Sequence, residues 1–203
     1  MFGLNIFEII FLFFFFSITG WVGECIMESV VRKRFVNKGF FKGPYVPVHG
    51  VGAFVIYGLC LPLKPHWYLV FIVSTLICTA VEYLAALVLE KVFHSKGWDY
   101  TTYPFTKNNH YKGRIAVTTS IFFGLVSMCL IYFYWDAGVF IINTFGEKIV
   151  FSIDIVLCAI LFIDLIYTGT KAIRNKKAGI PNQTAGIENL AESENNEKGA
   201  PSA

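Results

Sequence analysis

Residues 115–134 read IAVTTSIFFGLVSMCLIYFY, with no charged side chain among them. A run of that length matches the ~20 residues an α-helix needs to cross the ~30 Å hydrocarbon core of a bilayer. Length rather than periodicity carries the helix assignment, because a segment in lipid must satisfy its own backbone polar groups. Four further apolar stretches have the same character. The first runs from about Leu4 to Ile26 and contains Phe13-Phe14-Phe15-Phe16. The second, about Pro47 to Leu63, is short and glycine-rich, with Gly50, Gly52 and Gly58. The third is about Trp67 to Leu89, and the last about Ile149 to Thr168.

Composition agrees. Of 203 residues, 55% are hydrophobic, 17% aromatic and 15% charged, and the mean hydropathy is +0.57. Soluble domains carry about 25% charged residues, and a water-soluble protein of this length with so few charges would expose large apolar patches. Disorder over most of the chain is excluded by the hydrophobicity. The five cysteines (Cys25, Cys60, Cys78, Cys129 and Cys158) all sit in apolar runs without a CxxC pair. They read as buried thiols rather than as a disulfide framework or a zinc site. The expected fold is therefore all-α: a polytopic membrane helical bundle of about five transmembrane helices, with no nucleic-acid partner. The first stretch carries Glu8, no basic leader and no small-x-small site before Trp21, so it is expected to be an uncleaved helix.

Orientation follows from the basic residues. Arg32, Lys33, Arg34, Lys38 and Lys42 lie between the first two stretches, and only Lys64 lies before the third. Lys91, Lys96, Lys107, Lys112 and Arg114 follow the third, and only Lys148 precedes the last. Lys171, Arg174, Lys176, Lys177 and Lys198 come after it. Fifteen of 17 basic residues thus fall on one side, which predicts an outside N-terminus and a cytoplasmic C-terminus in the inner membrane. Trp67 and Tyr68, and Tyr134 and Trp135, are expected to cap two helices at the outer interface. Residues 1–171 form the transmembrane domain. Residues 172–203 turn polar and are expected to be a disordered cytoplasmic tail.

Polar residues inside such a chain are the candidates for function. Trp21, Glu24 and Glu28 share one face of the first helix, at i, i+3 and i+7, and Ser17 extends it. Glu28 could simply pair with Arg32 at i+4, whereas Glu24 has no basic neighbour at helical spacing. The segment Asn37-x-Gly39-Phe40-Phe41-x-Gly43-Pro44-Tyr45-x-Pro47-x-His49-Gly50-x-Gly52 is too rich in glycine and proline to be helical before Gly50. It predicts a cytoplasmic or re-entrant loop, tolerated where it is buried in protein or lines a cavity. His49 then stands at the mouth of the second helix, as a hydrogen-bonding residue or as a base. Glu82 lies about 22 Å below Trp67 at 1.5 Å per residue, in the cytoplasmic half. Asp164 descends to a similar depth, or is an interfacial residue near Tyr167. Trp98, Asp99 and Tyr100, followed by Pro104-Phe105 and Gly113-Arg114, complete the set. Arg114 could neutralise Glu24 or Glu82, or be a snorkelling flank. Glu8 and Asp154 are a second pair of acids in the outer half that could face water. Glu24, Glu82 and Arg114 are expected to converge on one cytoplasm-facing polar site walled by residues 43–52.

The motifs Gly20-Trp21-x-x-Glu24, Asn37 through Gly52, Trp98-Asp99-Tyr100 and Gly113-Arg114 resemble the bacterial family called putative ABC-transporter type IV, a family of ABC transporter permeases, over about Phe15 to Ser127. That resemblance implies transport with a separate ATPase. This chain has no GxxxxGK[ST] loop with which to hydrolyse ATP itself. A bundle of five helices is small, so a second copy or another subunit is expected to complete a pore. No HExxH, GxSxG or carboxylate-rich metal motif is present, and no cofactor or metal is expected. Two other readings stay open. One is an intramembrane enzyme acting on a lipid or isoprenoid at the cytoplasmic face, with acid–base work by Glu24, Glu82 and His49 and phosphate held by Arg114. The other is a non-transporting scaffold or sensor.

Overall fold

The computed structural model describes residues 3–37, 39–103, 105–177 and 182–183. Within them the chain is helical, and the helices are α1 (Ile6–Arg32), α2 (Pro47–Cys60), α3 (Trp67–Lys91), α4 (Val117–Cys129), α5 (Trp135–Phe145) and α6 (Glu147–Lys177). A 3-10 turn, Leu61–Leu63, extends α2, and a π-helical stretch, Leu130–Tyr134, joins α4 to α5 without a break. The only strands among the described residues are two-residue pieces. β2 (His110–Tyr111) pairs antiparallel with β3 (Ile115–Ala116), and β1 (Ser95–Lys96) pairs in parallel with β4 (Asn182–Gln183).

Local chemistry sets the ends. Asn5 and Glu8 form a reciprocal capping box at the start of α1, which satisfies backbone donors the first turn leaves free. Pro47 stands in the first turn of α2, where its missing N–H costs nothing. Gly146, at φ +76, makes the one-residue turn between α5 and α6, a conformation glycine adopts without steric penalty.

Four helices are long and apolar enough to cross a membrane: Ile6–Val31, Trp67–Lys91, Val117–Phe145 and Glu147–Asn175. The stretch 47–63 forms a shorter apolar helix, because Gly39, Gly43 and Pro44 hold the chain out of helix until Pro47 and Pro62 tightens its end. The packing is that of a protein in lipid. No more than 33% of any of the four apolar windows is buried. Val22, Ile26, Leu76, Phe133, Phe140, Phe162 and Ile163 all face outward. In water such faces would drive aggregation; in a bilayer they meet their own solvent. The chain is a multi-pass membrane protein.

The core is a cluster of Leu12 and Phe16 from α1, Ile56 and Cys60 from α2, Val70 from α3, Ile131 and Trp135 from the fourth helical rod, and Ile142 and Val150 around the Gly146 turn. Here two expectations are corrected. The fourth rod does not stop at Tyr134 but continues to Phe145. Trp135 does not cap it at an interface: it is 3% exposed, stacked on Tyr57 at 3.6 Å between ring centroids and also packed against Phe16 and Phe54. Tryptophan's large apolar surface outweighed its preference for the headgroup belt once it faced other aromatic rings. Trp67 and Tyr68 are exposed. At the other end α6 continues to Lys177. The tail expected to be disordered falls largely on residues 178–181 and 184–203, outside the described residues, as do Lys38 and Pro104.

Candidate functional site

The second half of α1 carries the polar face expected from its spacing. Glycine lets α2 approach it. At Gly20 a Cβ would stand 2.4 Å from the His49 ring, and at Gly50 a Cβ would stand 2.5 Å from Ser17 Oγ and 2.7 Å from the Phe13 carbonyl oxygen. Neither glycine can grow a side chain while the helices stay in place. The Val46 N–H donates to the Ser17 carbonyl at 3.0 Å, which fixes the entry of α2 on α1. His49 thereby meets Glu24, with Nε2 2.7 Å from Oε1. One turn further on, Glu28 accepts from the Tyr103 hydroxyl at 2.9 and 3.2 Å. The Trp21 indole N–H donates to Asn37 Oδ1 at 2.9 Å, holding the chain between α1 and α2 against the same face.

The second acid of the site comes from α3. Glu82 is buried and accepts a short hydrogen bond from the buried Tyr100 hydroxyl. Burial first, then the Glu82 charge and hydrogen bond, and then the charge of Glu24 raise the Tyr100 phenol far above its ordinary value. Tyr100 therefore remains a proton donor at any physiological pH, and Glu24 and Glu82 both lie within its electrostatic reach. The Tyr100 and Tyr103 rings are 6.2 Å apart, so the pairs Glu82–Tyr100 and Glu28–Tyr103 are neighbours. The loop that supplies both tyrosines is held by the Tyr100 N–H on the Gly113 carbonyl at 3.0 Å and by the Trp98 indole on the Arg114 carbonyl at 2.7 Å. The His49 ring stands 6.2 Å from Phe123 of α4.

Arg114 does something other than expected. Its guanidinium forms a bidentate pair with Glu90, at 2.5 to 3.1 Å, and lies 5.7 Å from the centre of the Tyr83 ring. The hydrogen bonds to Glu90 raise its already high pKa. The expectation that Arg114 neutralises Glu24 or Glu82 is thus corrected. Glu90 is nearer the end of α3, and a fork-shaped guanidinium takes the carboxylate it can grip with both arms. Arg114 contributes to the site through its backbone carbonyl, as a support for Trp98. Asp99 is likewise engaged locally: it accepts from Lys96 Nζ at 2.8 Å and from the Thr101 N–H and hydroxyl. Burial works against its ionisation, but these donors outweigh burial and lower its pKa.

Asp164 sits apart from the glutamates, under the Gly/Pro loop. Its carboxylate accepts from the Gly43 N–H at 2.8 Å, the Lys42 N–H at 3.3 Å, the Tyr45 hydroxyl at 2.7 Å and the Thr168 hydroxyl at 3.0 Å. Tyr45 is 1% exposed; burial and the Asp164 carboxylate hold its phenol protonated, with the pKa well above the usual range. Gly43 has room for no side chain, since a Cβ would stand 2.3 Å from the Tyr45 ring. Gly39 adopts φ +147, open to glycine. Gly52 is buried in α2 and faces open space at its Cβ position. The loop is thus a packed structure clasped to α6. Lys42 adds a contact between Nζ and the Tyr167 hydroxyl at 3.2 Å.

Two participants were missed in the sequence, Tyr103 and Glu90. Tyr103 could have been found as one of three tyrosines (Tyr100, Tyr103, Tyr111) crowded into a short interhelical loop. Glu90 lies two turns beyond Glu82 on the same helix and carries no other signal. Among the described residues, no group of three His, Cys, Asp or Glu side chains could hold a metal ion.

No curated protein and no solved structure matches this chain. A family model described as Putative ABC-transporter type IV matches residues 11–169. That span covers most of the chain and every residue of the polar cluster. The chain belongs to the Putative ABC-transporter type IV family.

Proposed function

We propose that this protein is the membrane-embedded permease subunit of an ABC-type transporter, working with a separate ATPase in the cytoplasmic membrane. The cluster Glu24–His49, Glu28–Tyr103 and Glu82–Tyr100 is its substrate-contacting polar site. One observation carries the reading: three carboxylates from two helices are drawn together at one end of otherwise apolar helices. Acids at such depth are costly unless they serve a polar pathway or a ligand. The set favours a substrate with a cationic or hydrogen-bond-donating group. The asymmetry of the basic loops supports a cytoplasmic side for the cluster, with the N-terminus out, the C-terminus in and α2 as a fifth, short crossing. A second copy or another subunit completes the passage. The engagement of Arg114 by Glu90 weighs against a phosphate-binding enzyme at this face.

Purification of the full chain from its native membranes in mild detergent tests the proposal. An ATP-hydrolysing subunit is expected to co-purify in fixed ratio. Recovery of the chain with no nucleotide-hydrolysing partner, under conditions that keep it folded, would contradict the proposal.

A further inference from the structure

Asp154 is the eighth residue, at the end of the second turn, of the most apolar of the four long helices, Glu147–Asn175. It is 2% exposed, and neither carboxyl oxygen has a hydrogen-bond partner among the described residues. The register of α6 on α1 fixes its depth. Asn5 Nδ2 lies 3.5 Å from Glu147 Oε1, the Phe7 and Phe151 rings are 4.8 Å apart, and Phe14 packs on Tyr45, which binds Asp164. The two helices therefore run parallel, and Asp154 falls level with about residues 10–12 of α1, Ile10, Phe11 and Leu12. It is about 10 Å from Glu147 at 1.5 Å per residue.

We propose that Asp154 is a proton-binding site within the membrane. A carboxylate with no donor on either oxygen is among the most expensive groups to bury, and the neutral acid is far cheaper. Among the described residues neither oxygen is bonded to a cationic group. On α1 the ionisable residues are Glu8, Glu24, Cys25, Glu28 and, at the last position of the helix, Arg32. Glu8 is held by Asn5, and the others lie at the far end. On α5 there is Asp136 alone; on α6 itself Cys158 is one turn away, and Lys148 and Glu147 are about two turns away, lining a cleft. Lys42 and Tyr45 pack at the level of Asp164. A metal cation would need several oxygen ligands, and among the described residues no group of three His, Cys, Asp or Glu side chains could hold one, so the ligand is the proton. The cleft between α1, α5 and α6, lined by Asn5, Glu8, Glu147 and Lys148, has Val150 and Phe151 in its wall. These residues lie four and three positions from Asp154. The inference does not rest on the permease reading.

The test is carbodiimide modification of the full chain in lipid vesicles, because dicyclohexylcarbodiimide enters bilayers and reacts with protonated carboxyls. After peptide mass spectrometry, Asp154 should carry the adduct at neutral pH and Asp164 should not. Modification of Asp154 should fall at least tenfold as the pH is raised to strongly alkaline values. An unmodified Asp154, equal modification of Asp164, or modification independent of pH overturns the proposal. In infrared spectra, Asp154→Asn should remove one protonated-carboxyl band; an unchanged band also overturns it. Should that variant fail to fold, the wild-type modification decides.

Discussion

Asp154 and Asp164 are the same residue type, ten positions apart on one helix, and both are buried. Asp164 receives four donors, from Lys42, Gly43, Tyr45 and Thr168; Asp154 receives none among the described residues. The difference lies not in the helix but in what α1 and its flanks bring against it. At the Asp164 level the Gly/Pro loop turns backbone N–H groups and a phenol inward. At the Asp154 level α1 offers only apolar side chains, Ile10, Phe11 and Leu12. The bundle is thus divided along its length. One end is knit by directional bonds between acids and ring donors, and the other is held by aromatic packing around a buried acid, Asp154, that has no donor among the described residues.

That division can be tested by deletion. Asp164→Ala would orphan the buried Tyr45 hydroxyl and two backbone N–H groups of the loop. Each unsatisfied buried group costs about 1–3 kcal/mol, so a loss of about 3 kcal/mol is expected, together with release of the loop, read as loss of thermal stability in detergent and new proteolysis near Gly43. Asp154→Leu, by contrast, should be neutral or stabilising, since it removes an unpaired polar group from an apolar site. Equal effects of the two substitutions would erase the distinction.

A smaller effect is expected at the α1–α2 contact, which brings His49 to Glu24. Gly50→Ala puts a methyl against the Phe13 carbonyl, a backbone atom that cannot move alone. Overpacking of this kind costs about 1–3 kcal/mol. Gly52→Ala on the same helix, where a Cβ meets nothing within 4 Å, should be tolerated. Thermal unfolding of the pair would sharpen the view that close backbone approach, rather than glycine content, builds this end of the molecule.

How much of this was legible in the sequence differs between the two ends. The all-α membrane class followed from the uncharged run 115–134 and from the sparse charge. The face Ser17, Trp21, Glu24, Glu28 followed from helical spacing, and the structure turns Glu24 to His49 and Glu28 to Tyr103. What spacing cannot carry is the choice among partners far apart in the chain. Arg114 was free to meet any of several acids, and it meets Glu90 because that carboxylate lies within its bidentate grip. Trp135 looked like a headgroup anchor, but the π-helical stretch before it and the Tyr57 ring opposite hold it in the core. Asp154 looked able to face water and is buried. In each case the deciding term was tertiary packing, which a local pattern does not encode.

The central claim is that the glutamates at the Gly43 end act as one connected polar site through the Tyr100 hydroxyl. A double-mutant cycle between Glu24→Gln and Tyr100→Phe, read by reversible unfolding of the full chain in lipid, tests it most directly. Coupling of about 0.5–3 kcal/mol is expected for residues in one network. Strict additivity, within about 0.3–0.5 kcal/mol, would contradict the claim and leave Glu24–His49 and Glu82–Tyr100 as two separate pairs.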